Sequence, residues 1–183
     1  MSHQLQNTWV IWEQNNTQKS YGAGDKEVCE FNTVEDFWKY WSFIPKPSEV
    51  FYDGHTKKEV DGRVIGGFCL FKKGIKPEWE DPCNTQGSEL TCRNVRSLDF
   101  ADVYWENLVL GCIGETIDDG DEICGCRIVN KTSGKLSMKI EVWLRSRNTE
   151  AIDKLKVRLL DAISEPGLPP RALPDLGYKV HGN

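Results

Sequence analysis

The chain is poor in the side chains on which most enzymes depend. Its 183 residues include only three histidines, His3, His55 and His181, two of them near the ends. No Ser/His/Asp or Cys/His arrangement emerges from their order, and no glycine-rich phosphate cradle is present. The seven cysteines are an odd number and none forms a Cys-x-x-Cys pair. The closest two, Cys124 and Cys126, have a spacing that suits tetrahedral zinc poorly. Reduced thiols in a cytoplasmic protein follow, with no metal and no cofactor. No stretch approaches the roughly 18 consecutive apolar residues of a membrane span. Met1 to Gln6 lacks the basic-then-apolar order of a secretory leader. Positive charge is also scarce, for the net charge is −5. A general nucleic-acid coat, which grips the phosphate backbone through a broad basic surface, is thereby excluded.

What charge there is lies unevenly. Between Arg127 and Arg147 stand six basic residues, Arg127, Lys131, Lys135, Lys139, Arg145 and Arg147, against the single acid Glu141. Just upstream, Glu115, Asp118, Asp119, Asp121 and Glu122 crowd into one loop. A local basic patch on an acidic body suits a small anion better than a long polyanion, though a solvated hairpin would look the same.

The length fits one domain over residues 1–183. Leu5 to Trp12 alternates as a strand, and Glu27 to Phe31 reads as a second. Thr33-Val34-Glu35-Asp36 has the capping pattern that opens a helix. Val34, Phe37, Trp38 and Trp41 follow at helical spacing until Pro45 and Pro47 stop it. Residues 48–66, rich in charge and glycine, read as a mobile insertion. Phe68–Lys72 and Leu90–Val95 are strands flanking a long loop, Gly74 to Gly87. Asp99 to Ile113 is a helix with Phe100, Val103, Tyr104, Leu108, Cys112 and Ile113 inward. Ile123–Val129 and Met138–Leu144 make a hairpin, and Asn148 caps a third helix with Ile152, Leu155, Leu159 and Ile163 inward. Residues 166–183 form a proline-rich tail. Strands joined by hairpins as well as helices predict an α+β fold, one antiparallel sheet with helices on a single face. The other face is left free to hold a ligand.

Of the seven tryptophans, Trp9, Trp12, Trp41 and Trp105 lie in periodic elements and read as core. Periodicity alone also makes Trp38 core. Trp79 differs, because it sits between Glu78 and Glu80 in a polar loop where no apolar period would bury it. It is either a stacking platform or a loop anchor folded back on the core.

Gly74-Ile75-Lys76-Pro77-Glu78-Trp79-Glu80-Asp81, Thr33-Val34-Glu35-Asp36-Phe37-Trp38, Ile113-Gly114-Glu115 and Gly167-Leu168-Pro169-Pro170 resemble, in matching order, the cap-binding translation initiation factor 4E family. His3, Leu5-Gln6-Asn7, Trp9 and Trp12 resemble it too, so the likeness runs from His3 to about Tyr178. It implies a single curved antiparallel sheet with three helices on the convex face and a slot for the 7-methylguanosine cap of mRNA on the concave face. Methylation at N7 makes guanine cationic, and two aromatic faces would clasp it, each contributing about 1–3 kcal/mol. By resemblance those faces are Trp79 and Tyr21, where most members carry a second tryptophan. Glu80 would accept from the guanine N1–H and amine, a pair adenine cannot offer. Trp143 resembles the contact to the N7-methyl group, while Lys139, Lys131 and Arg127 would hold the phosphates. Val34, Trp38, Leu110 and Gly114 match a dorsal surface that docks a helix of scaffold factor 4G, or of repressors carrying a Tyr-x-x-x-x-Leu-hydrophobic motif. Gln4 and Glu106 depart from that surface.

The resemblance thus implies a non-enzymatic initiation factor that recruits capped mRNA, monomeric by itself. Tyr21, found at this place in divergent homologues, keeps open a repressor that competes with the initiation factor. A rival from another class is a metal-dependent phosphoryl hydrolase, with Asp118, Asp119, Asp121 and Glu122 holding magnesium.

Overall fold

A computed structural model describes residues 1–15, 24–118, 120–164 and 175–182. The strands are β1 (Gln4–Asn15), β2 (Asp25–Thr33), β3 (Glu59–Val60), β4 (Arg63–Lys72), β5 (Ser88–Val95), β6 (Ile123–Asn130), β7 (Met138–Leu144) and β8 (Leu176–Val180). They form one eight-stranded sheet ordered β2-β1-β4-β6-β7-β5-β8, with β3 beside β4, and each pairing among the described residues is antiparallel. The helices are α1 (Val34–Trp41), α2 (Pro47–Val50), α3 (Leu98–Ile113) and α4 (Thr149–Ile163).

Alternation along the strands makes two unlike faces. Trp9 and Ile11 of β1, Phe68 and Leu70 of β4, Cys126 and Ile128 of β6, and Met138, Ile140, Val142 and Leu144 of β7 share one large core. Phe37, Val50, Leu108, Val109, Ile152 and Leu155 from the four helices join them. The opposite face carries Arg127 on β6, Lys139, Glu141 and Trp143 on β7, and Glu89, Thr91 and Arg93 on β5. Cross-strand partners there include Arg127 with Glu141 and Glu89 with both Trp143 and Lys179. A small second cluster on this side joins Cys69, Phe71, Ile75, Cys124 and Trp143, with Trp12 and Trp79 packed against it.

Local signals account for the helix starts. The Thr33 hydroxyl accepts from Asp36 N at 3.1 Å, Ser97 caps α3 and Asn148 caps α4. The structure corrects three expectations. The described residues hold four helices rather than three, because α2 is a single turn of four residues, too short to show a period. The tail ends in β8, which pairs with β5. Val103 is exposed and Phe100 only half-buried, while α3 turns Ala101 inward beside the expected Tyr104, Trp105 and Leu108.

Residues 48–66, expected as a mobile insertion, hold most of α2, the β3 hairpin and the start of β4. Phe51 in this segment is fully buried and stacks on Phe68 with centroids 5.8 Å apart. Its carbonyl accepts from Asn130 Nδ2 at 2.9 Å.

Candidate functional site

The loop between β4 and β5 is built before it is useful. Gly74 opens it with φ +87, a left-handed turn that favours glycine. One Asp81 oxygen accepts from Lys76 N and the other from Cys83 N, each at 2.9 Å. Asn84, fully buried, donates to the carbonyls of Lys76 and Glu78 at 2.9 and 2.8 Å. These bonds fold the segment around Trp79 and leave Glu80 exposed at its tip.

The end of β8 fastens this loop to the sheet. His181 N donates to Gly87 O at 3.0 Å, and Arg147 bridges Gly87 O and His181 O. The buried His181 ring faces Asn84 O through Nδ1 at 2.7 Å. A carbonyl can only accept, so Nδ1 carries the proton. Trp79 stacks on this imidazole at 5.9 Å and 23°, and the Lys179 ammonium lies 4.5 Å from the indole centre. Trp79 is half-buried, and its Nε1 has no hydrogen-bond partner among the described residues. It is therefore an anchored side chain that also lines a cleft.

Beside it opens a cleft of about 460 Å³, lined by Trp79, Glu80, Glu89, Arg93, Arg127, Lys131, Lys139 and Lys179. Five of these are basic and two acidic. Burial lowers the Lys131 ammonium below the usual lysine range, and repulsion from Lys139 and Arg127 adds to the effect. Cations crowded in this way are relieved by an anion. Beneath them lies Glu141, 0% exposed, which accepts from Arg127 Nε, from Lys139 Nζ and, at 3.0 Å, from Trp143 Nε1. Burial alone would raise its carboxyl, yet the charges and hydrogen bonds of Arg127 and Lys139 bring it down to about 2.

Trp79, Glu80, Arg127, Lys131 and Lys139 thus line one cleft. Tyr21 lies outside the described residues. Trp143 does not line the cleft. It is 0% exposed, covered by the Arg127 guanidinium at 4.8 Å and flanked by His181 and Phe71. Glu89, Arg93, Lys179, His181 and Asn84 join the site without any motif that marks them for it. The alternation of Glu89, Thr91 and Arg93 with Leu90 and Cys92 was a legible signal for β5; without β8, Lys179 and His181 had no face to belong to.

The dorsal set lies on the helix side. Trp38 is 46% exposed, where periodicity alone read it as core; Val34 and Leu110 are half-buried, and Gly114 is exposed. Strand β1 and the residue before it tie this patch together, since His3 pairs with Glu35 and Asn7 donates to Glu115 at 2.7 Å. Of the acids in the hydrolase reading, Asp118 accepts from three backbone amides (Gly120, Glu122 and Ile123), and Asp121 pairs with Lys72 and Arg145. Glu122 accepts from Ser146 Oγ, while Asp119 lies outside the described residues.

The family model for Eukaryotic initiation factor 4E matches residues 4–183. Eukaryotic translation initiation factor 4E1 of Drosophila melanogaster is 35% identical over 164 residues, 88% of this chain and 58% of that relative's length. Homo sapiens Eukaryotic translation initiation factor 4E is 30% identical over 194 residues, covering 100% of this chain and 77% of the relative. The chain therefore spans less than two thirds of the Drosophila protein. Among solved structures, Ascaris suum eIF4E-3 in complex with an m7G cap superposes with a TM-score of 0.79 at 28% identity, covering 100% of this chain and 94% of that one. The Caenorhabditis elegans eIF4E-3 complex with the 4E-binding protein Mextli gives 0.78 at 28%, covering 99% and 94%. By the family model and the identity of these relatives, the chain belongs to the eukaryotic initiation factor 4E family.

Proposed function

We propose that this chain binds the 7-methylguanosine 5′ cap of mRNA and recruits the message for translation initiation. The observation that carries the reading is a single juxtaposition: a half-buried tryptophan, held from behind, stands beside an exposed carboxylate at the mouth of a cation-lined cleft. Trp79 offers one stacking face to the cationic base, and Tyr21 is assigned the other. Glu80 accepts from the guanine N1–H and amine as a bidentate, charge-assisted pair. Lys131 and Lys139 receive the phosphates, with Arg127 beneath them, and Trp143 underlies the floor near the methyl group. No bond in the ligand is made or broken, so the chain acts as a cytoplasmic binding protein and not as an enzyme.

Val34, Trp38, Leu110 and Gly114 form the docking surface for a scaffold or repressor helix on the other side of the molecule. The solved relatives support both surfaces, because eIF4E-3 complexes hold cap compounds and a 4E-binding protein.

Retention on a cap-analogue resin tests the pocket. Trp79→Ala and Glu80→Ala are each expected to lose nearly all retention while unfolding normally; full retention by either variant sinks the assignment. Capped RNA incubated with magnesium is expected to release no 7-methylguanosine diphosphate. A pulldown from cell extract is expected to recover a 4G-like scaffold with the parent chain and to lose it with Trp38→Ala.

A further inference from the structure

We infer that Arg127, not Trp143, forms the floor of the cleft that meets the N7-methyl edge of the base, and that it thereby sets how strongly the chain discriminates methylated from unmethylated guanine. This rests on the cap-binding reading of the cleft. Arg127 lines the cleft and Trp143 does not. The guanidinium lies over the Trp143 ring at 4.8 Å, and the indole beneath it has no exposed surface. An aromatic that would attract a cationic base is already engaged by a resident cation.

Glu141 locks this arrangement. One of its oxygens accepts from both Arg127 Nε and Trp143 Nε1, so guanidinium and indole are held in register by the same carboxylate. Its other oxygen pairs with Lys139. A planar cation fixed this way has little freedom to swing aside, and its side chain and the indole are both buried. The floor therefore presents positive charge, partly offset by Glu141, where a bare indole would present π density. A cationic 7-methylguanine gains attraction from an indole and loses it against a guanidinium. Neutral guanine is nearly indifferent to the exchange. The methyl group thus adds less to affinity here than the stacking faces alone would provide.

The expected size follows from one cation–π contact, worth about threefold to thirtyfold in affinity. Arg127→Gln removes the charge and keeps a planar group able to donate to Glu141. It is expected to raise the ratio of 7-methyl-GTP to GTP affinity by about that factor, read by quenching of tryptophan fluorescence. The paired variant Arg127→Val with Glu141→Ala, which leaves no orphaned carboxylate, is expected to move the ratio the same way. An unchanged ratio in either folded variant overturns the inference. The unaltered chain gives a second reading by NMR: with bound 7-methyl-GTP, the methyl protons are expected to show contacts to the Arg127 methylenes and not to the Trp143 ring. Contacts to the indole alone overturn the inference. Binding of neither nucleotide by the unaltered chain would instead remove the cap-binding reading itself, and this inference with it.

Discussion

Strands β5, β6 and β7 build two opposite kinds of surface from one stretch of backbone. On the helix side, Leu90, Ile128, Ile140 and Val142 share with α3 a core that needs only shape and volume. On the other side, Arg127 and Glu141 are almost as deeply buried and Lys139 is half-buried, yet these three are held by charge and hydrogen bonds. The apolar face tolerates a lost methylene in proportion to the hole it leaves. The ionic face does not degrade gradually, because removing one partner strands the others away from water. Stability is therefore spread broadly on one side and concentrated in a few atoms on the other.

This contrast can be broken at several points. Glu141→Ala should be the most damaging change, costing about 3–5 kcal/mol by urea unfolding at neutral pH, because it leaves Arg127 and Lys139 unneutralised. A loss below that of a surface substitution would mean the network contributes nothing. The pH dependence has a definite sign. The folded carboxyl is held at about 2, below its ordinary 4.5, so its stabilisation is complete above pH 4.5 and disappears as pH falls towards 2. The stability gap between parent and Glu141→Gln should accordingly narrow across that window and stay constant above it.

Leu108→Ala, in the buried middle of α3, should cost about 2–5 kcal/mol, yet the folded protein should keep its nucleotide affinity. Loss of affinity in the folded variant would show that the two faces are not independent. Trp79→Ala inverts the pattern, with affinity weakened by about 1–3 kcal/mol and a smaller change in stability. Lys154→Ala, which removes the exposed pair with Glu150 on α4, should change stability by no more than about 0.5 kcal/mol and binding not at all.

The apolar face was the more legible in the sequence. Hydrophobic alternation marked β7 with the bounds it has, and the capping residues Thr33 and Asn148 marked where α1 and α4 begin. Trp79 stood out as an aromatic in a loop without periodicity, whereas Glu80 was marked only by the resemblance to the family. Strand β8 was hidden because five residues following a proline-rich stretch carry too little pattern, and with it went His181 and Lys179. The cover over Trp143 was invisible for a different reason. It depends on which cation faces which ring across the β6–β7 ladder, and alternation assigns a face without assigning a contact. Trp38 shows the same limit, because a helical period cannot say that α1 ends at the rim of the core.

The fastening of the Gly74–Gly87 loop by His181 has a practical side. A dye, resin linker or surface tether attached near residue 182 would pull directly on the backbone that carries the stacking indole. Sensors and immobilised forms of this protein should be anchored through the exposed face of α4, near Lys154, where a mechanical load would bypass that loop.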